Sequence, residues 1–150
     1  ITGTQIGLQH NAFSLNINIG SQFGGKLTYD TDLRKAEPKA FKNVTKMWND
    51  RWTPDNPNGQ FPRADDASIG EESTFWSFSA TTIRIYDMSL AYRLPNKLIK
   101  RIGFNNMAVN MSAVNPFVIV NPTPYKDPQL GSVYDYPTLR TITFGLNFGF

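Results

Sequence analysis

Thr141-Ile142-Thr143-Phe144-Gly145-Leu146-Asn147-Phe148-Gly149-Phe150 places an apolar residue at every second position, with Thr, Gly and Asn between. A period of two marks a strand whose faces meet unlike surroundings. The same alternation recurs upstream. Phe13, Leu15, Ile17, Ile19 and Phe23 stand opposite Ser14, Asn16, Asn18, Gly20 and Gln22. Phe78, Ala80, Thr82, Arg84, Tyr86, Met88, Leu90 and Tyr92 form a second stripe, with Ser77, Ser79, Thr81, Asp87, Ser89 and Ala91 between them. Ile83 and Ile85 break that pattern. Met107, Val109, Met111 and Ala113 alternate with Ala108, Asn110, Ser112 and Val114, and Thr4, Ile6 and Leu8 precede a His10-Asn11-Ala12 turn. No proline interrupts these runs, although the chain has 10.

The connections alternate in length. Residues 25–73 form a long polar stretch with Pro54, Pro57, Asn58-Gly59 and Pro62, residues 94–103 a short basic one, and residues 115–137 another long one. No helix is firmly signalled, although residues 33–48 could hold a turn or two. Composition narrows the function. The 150 residues carry 18% charge, against about 25% in an average soluble domain. Sixteen of the 27 charged residues fall between Asp30 and Glu72, leaving the alternating runs nearly uncharged. A net charge of +3 without a dense Lys/Arg run argues against nucleic acid. Zero Cys excludes disulfides, thiolate zinc sites and thiol catalysis. A single His, His10, excludes a multi-His metal site and leaves little room for His-based catalysis. No run of 18 apolar residues is present, so no transmembrane helix is expected. A start at Ile1 without a leader reads as a piece of something longer.

Alternating strands fit either a soluble sandwich or a membrane barrel. A water-facing sheet normally collects Lys and Glu, whereas these polar faces hold Ser, Thr, Asn, Gly and Gln. A transmembrane β-barrel accounts for both this chemistry and the alternation of long and short connections. Strands of about 9–11 tilted residues span the bilayer, a length these runs reach. The expected fold class is therefore all-β, part of an antiparallel transmembrane β-barrel. A bare apolar edge at the last strand would be a liability in a soluble protein, and barrel closure removes it. The stripe Ile142, Phe144, Leu146, Phe148 and terminal Phe150 resembles the assembly signal of bacterial outer-membrane proteins.

Further residues carry a family resemblance. Arg51-Trp52-Thr53-Pro54-Asp55-Asn56-Pro57 followed by Phe61-Pro62-Arg63 resembles a stretch of the SusC/RagA-type TonB-dependent transporters. Ile83-Arg84-Ile85, Leu90-Ala91-Tyr92-Arg93-Leu94-Pro95, Asn115 with Phe117, Asp127-Pro128, Tyr136-Pro137 and the final strand continue the match in order. Pro116 and Gln129 depart from it. The resemblance implies the C-terminal strands of a 22-stranded plugged barrel, with residues 25–73 and 115–137 extracellular and 94–103 periplasmic. It further implies import of glycan fragments or peptides across the bacterial outer membrane, driven through TonB, with a SusD-like surface lipoprotein as partner. The plug and the TonB-contacting segment would lie upstream of Ile1. A soluble carbohydrate-binding sandwich is the alternative, and nothing supports an enzyme or a cofactor.

Trp48, Trp52, Phe61 and Trp76 are candidates for stacking on substrate or partner, against the plainer role of packing a large loop. Asp65-Asp66 and Glu71-Glu72 read as a solvated loop rather than a calcium site or catalytic pair. Asn43-Val44-Thr45 fits a glycosylation acceptor, with little weight in a bacterial envelope. Arg93, Lys97, Lys100 and Arg101 form a basic cluster that could meet anionic headgroups or simply be solvated. Parity places Arg84 on the lipid face, which requires either snorkelling or a register-shifting bulge.

Overall fold

Asn11 adopts a left-handed backbone, φ 51°, a conformation Asn tolerates better than most residues. It turns the chain between β1 (Thr2–His10) and β2 (Phe13–Gln22), which pair antiparallel from His10↔Phe13 to Thr2↔Ser21. The computed structural model describes residues 1–35 and 43–150. Two compact units share the chain, one of residues 1–23, 81–120 and 139–150, the other of residues 24–80 and 121–138.

The first unit is a five-stranded antiparallel sheet in the order β1, β2, β5 (Thr82–Arg93), β6 (Asn106–Val120) and β7 (Thr141–Gly149). Its register confirms the period-two reading on both sides. Ile6, Ile17, Met88, Ala113 and Ile142 follow one another across the strands, as do Leu8, Leu15, Leu90, Met111 and Phe144. Directly paired residues share a face, so these rows make one continuous apolar surface. The opposite face carries Gly7, Asn16, Ser89, Ser112 and Thr143 in one row and Gln9, Ser14, Ala91, Asn110 and Gly145 in the next. Glycines on this face stand opposite amides: a Cβ at Gly145 would lie 2.5 Å from Asn110 Oδ1, and one at Gly149 2.8 Å from Asn106 Nδ2. Asn18 Nδ2 donates to Asp87 Oδ1 at 2.8 Å on the same face.

Three sequence expectations need correction. Tyr86 is an extra residue in β5, because β2 passes from Asn18↔Asp87 to Ile19↔Ile85. This bulge carries Ile83 and Ile85, the two exceptions to the alternation, onto the apolar face. It also moves Arg84, paired with Gly20 and Val118, to the polar face. Arg84 is only 4% exposed, with its guanidinium 6.0 Å from the Tyr86 ring centre. Second, β6 continues through Pro116 to Val120 rather than ending near residue 114. Asn115, at φ 50°, opens a second bulge where a proline without an N–H is tolerated. Third, the run from Phe78 divides. β4 (Ser77–Ser79) pairs with β3 (Lys26–Thr28) in the second unit, and β5 starts at Thr82.

Residues 94–105 connect β5 to β6 through a helical turn, α2 (Asn96–Ile99), continued by a 3-10 turn (Lys100–Ile102). Ile99 is buried, and Gly103 at φ 83° ends the turn in the left-handed conformation that suits glycine. Phe104, Phe148 and Phe150 meet in pairs at 5.1–5.8 Å between ring centres.

The second unit has its own core of Met47, Trp48, Phe61 and Trp76, flanked by Tyr29, Ile69 and Tyr125. Of the possible helix over residues 33–48, the structure gives α1 (Thr31–Arg34) and a 3-10 turn (Lys46–Asp50), while residues 36–42 lie outside the described residues. Asp30 caps α1 by accepting from Leu33 N at 2.8 Å. Residues 121–138 join the same body. Lys126 Nζ lies 2.8 Å from Asp30 Oδ2, and Ser132 Oγ donates to Asp32 Oδ2 at 2.9 Å.

Candidate functional site

Burial divides the four candidate aromatics. Trp48 and Trp76 are each 2% exposed and Phe61 is nearly as enclosed, so these three build the core of the loop unit. Trp48 Nε1 donates to Leu33 O at 3.1 Å, which satisfies the polar handle that a buried indole carries. Their expected availability for stacking is thus corrected: the rings are spent on packing. Trp52 is different. It is 38% exposed, on a loop that bonds back on itself.

That loop is built from the motif residues, closed by a parallel bridge between Arg51 and Phe61. Trp52 N donates to Phe61 O at 2.7 Å, and Phe61 N to Asp50 O at 3.1 Å. Asn56 binds back on the loop: its backbone N donates to Thr53 Oγ1 at 3.0 Å and its Nδ2 to Arg51 O at 3.1 Å. Arg51 donates through one terminal nitrogen to Trp48 O at 2.8 Å, satisfying the end of the 3-10 turn. Gly59 passes so close that a Cβ would stand 2.5 Å from Arg51 O and 2.7 Å from Trp52 N. Only glycine fits there without moving backbone. The whole stretch therefore holds Trp52 outward while Phe61 points in.

A groove of about 340 Å³ runs beside Trp52, lined by Arg51, Thr53, Pro54, Arg63, Ala64 and Asp65. Arg63 makes a two-pronged contact with Asp65, Nε to Oδ1 at 3.0 Å and a terminal nitrogen to Oδ2 at 2.7 Å. Its guanidinium lies 5.9 Å from the Trp52 ring centre. Hydrogen bonds from Arg63 hold the Asp65 carboxyl below its ordinary pKa, so it stays ionised at any physiological pH. Asp66 caps the 3-10 turn Ala67–Gly70 by accepting from Ser68 N, and its carboxyl is held below its ordinary pKa first by the Ser68 side chain and then by that backbone bond.

The remaining candidates are simpler. Asp65 is paired and Asp66 is a cap. Among the described residues, no group of three His, Asp or Glu side chains is arranged to hold a metal. In the Asn43-Val44-Thr45 triplet, Asn43, the residue that would carry a glycan, is exposed, while the Thr45 hydroxyl is buried. His10 sits at the β1–β2 hairpin, its Nε2 3.0 Å from Asn11 Nδ2. Arg93, Lys97, Lys100 and Arg101 all lie exposed on or beside the α2 turn. No helix among the described residues is long and apolar enough to cross a membrane, which leaves a crossing by strands open. Sequence reasoning missed Arg63–Asp65 as a site pair. The only signal was their spacing of two beside the motif.

No model of a known protein family matches the chain. Over 160 residues it is 24% identical to "TonB-dependent receptor P3" of Formosa agariphila, a match covering 95% of the chain and 15% of that protein. It is 29% identical over 116 residues to "TonB-dependent receptor P26" of the same organism, covering 67% of the chain and 12% of that protein. Among solved structures it is similar to the RagAB peptide importer in its "open-open" state, with a TM-score of 0.67 and 21% identity over 99% of the chain and 17% of the importer chain. The "closed-closed" state gives 0.62 and 20% over 97% of the chain. The chain thus spans about 15% of the length of the relative it matches most fully. The resemblance to SusC/RagA-type TonB-dependent transporters carried by the motifs is upheld along nearly the whole chain, and the fold is the antiparallel β architecture of the importer's matching part.

Proposed function

We propose that this chain forms part of the wall and external loops of a 22-stranded outer-membrane barrel that imports glycan fragments or peptides. In this reading TonB energises the transporter through a plug segment, and a SusD-like surface lipoprotein is its partner. The chain contributes no catalysis, cofactor or metal. The observation that carries the reading is the separation of the sheet across five strands into an apolar face and a polar face of mostly Ser, Thr, Asn and Gly, on which Arg84, Asp87 and Arg93 are the charged members. Ile6, Leu8, Phe13, Leu90, Val109, Ile142, Phe144, Leu146 and Phe148 are all exposed on the apolar face, Phe144 by 74%. Fully burying one such side chain is worth about 1.5–3 kcal/mol. Nine of them together approach or exceed the net stability of about 5–15 kcal/mol of a whole domain, so this face requires a cover. Lipid supplies it along the full length of every strand, since each of the five has at least nine residues. A soluble sandwich would need a second sheet there.

The assignment of residues 25–73 and 115–137 to the cell exterior and 94–103 to the periplasm belongs to this proposal, with the first external loop beginning just after β2 and the second after Val120. The basic side chains of residues 93–101 then face the inner leaflet. We further propose that the stripe Ile142, Phe144, Leu146, Phe148 and Phe150 guides insertion and pairing of β7. The test is growth of a strain lacking the whole transporter on defined glycans or on peptides as sole carbon source, with complementation by the intact gene. Loss of growth on one class, restored by the gene and abolished again without TonB, is expected. Growth unaffected on every glycan and peptide tested would defeat the proposal.

A further inference from the structure

Trp52 is held outward on a loop whose backbone bonds largely to itself. The N–H groups of Trp52, Thr53, Asn56 and Gly59 all donate within residues 51–61, and Gly59 packs against the Arg51 and Trp52 backbone. These four donors are not open to an incoming peptide strand, which would pair through the backbone. What the loop offers is side chains: the exposed indole, the Pro54 ring beside it and the Arg63–Asp65 fork at the rim. The groove, about 340 Å³, falls at the lower end of the usual range of roughly 300–1,000 Å³ for small-ligand sites.

We propose that this groove is a binding subsite for a sugar ring bearing neighbouring hydroxyls. A sugar ring has an apolar C–H face that packs on an indole and an edge of hydroxyls that both donate and accept. Asp65 supplies acceptors and Arg63 donors, side by side at the rim. Arg63 and Asp65 offset each other's charge, while Arg51 donates to the Trp48 carbonyl and keeps its own, so the lining carries one net positive charge. The subsite rests on the import reading, and narrows its glycan-or-peptide substrate to glycan.

The experiment measures binding by calorimetry to the full-length transporter in detergent, with cello-, malto-, xylo- and mannohexaose and a neutral nonapeptide as probes. At least one hexasaccharide is expected to bind. Trp52→Ala should weaken it about tenfold, the scale of one aromatic contact, while Trp52→Phe keeps most of the affinity and Arg63→Gln loses several-fold. Trp52 is exposed, so an unchanged melting temperature is expected and separates binding loss from misfolding. Equal binding of a hexasaccharide by wild type and Trp52→Ala overturns the subsite and leaves import standing. Binding of the nonapeptide alone overturns the sugar assignment. No binding by any probe counts against the subsite, and the growth test then decides separately whether import itself fails.

Discussion

Tyr86 lies across Gly20 on the neighbouring strand, so close that a Cβ at position 20 would stand 2.0 Å from the ring. The bulge that inserts Tyr86 into β5 turns its ring onto the polar face, beside Arg84. Gly20 is the space the ring needs. One extra residue thus reconciles two features that a regular strand leaves in conflict, a cation on the apolar stripe and two isoleucines off it.

Gly20→Ala is expected to destabilise the folded protein by about 1–3 kcal/mol, the cost of overpacking. The far end of the tyrosine side chain can give way, which argues for the low end. In a Tyr86→Ala background the same substitution should cost almost nothing, because the atoms it strikes are gone. Urea titration of the four proteins of this cycle in detergent-folded form gives the coupling. Additive costs would mean that ring and glycine do not meet.

The strands with unbroken alternation, β2 and β7, were legible because their period survives from end to end. The Tyr86 bulge was legible only as one of two ways to account for Arg84: a parity count assumes a regular backbone, and Gly20, its partner, reads as one more small residue in a polar stripe. Pro116 misled in the opposite sense. The alternating run ends before Pro116, yet Asn115 at φ 50° supplies a bulge that lets the strand continue through it. In the loop unit, the sequence places Trp48, Trp52, Phe61 and Trp76 among similar polar neighbours. Which rings turn inward depends on the long-range packing of Leu33, Met47 and Tyr125. No local pattern encodes that choice. Trp52 could be read as a stacking candidate and Arg63 only as a motif member, and their shared groove with Asp65 emerges from the fold.

The two faces of β7 should respond differently to the same charge. Phe144→Arg is expected to destabilise by about 2–4 kcal/mol if that side chain meets lipid near mid-bilayer. Thr143→Arg, one residue away on the polar face in the row with Ser112, should cost clearly less. Unfolding from lipid vesicles compares the pair directly. Equal penalties would exchange or abolish the assigned faces.

Lys126 ties residues 121–138 to the loop core through Asp30 Oδ2 at 2.8 Å and Gly131 O at 2.9 Å. The two charged side chains are 12% and 22% exposed, so solvent screens the pair only in part. Lys126→Met should cost about 1–3 kcal/mol, leaving one carboxylate oxygen without its partner. Asp30 Oδ1 still caps α1, so α1 should persist. The expected readout is faster protease cleavage within residues 121–138, with no change for Lys100→Met on the α2 turn of the other unit. Identical cleavage rates would remove Lys126 as a tie.

Orientation is the claim on which the assignment of every loop depends. Asn58 and Gln129 are exposed in the loop unit, and Lys97 is exposed on the α2 turn between β5 and β6. The chain has no cysteine, so a single introduced one reports its own position. With the full transporter otherwise free of accessible thiols, Asn58→Cys and Gln129→Cys should react with a membrane-impermeant maleimide on intact cells. Lys97→Cys should react only after the outer membrane is opened. The turn lies one strand crossing from either loop, so a correct barrel cannot label all three from one side. Labelling of position 97 on intact cells with protection of position 58 would invert the orientation and move the Trp52 groove to the periplasm, where it could not meet a substrate arriving from outside.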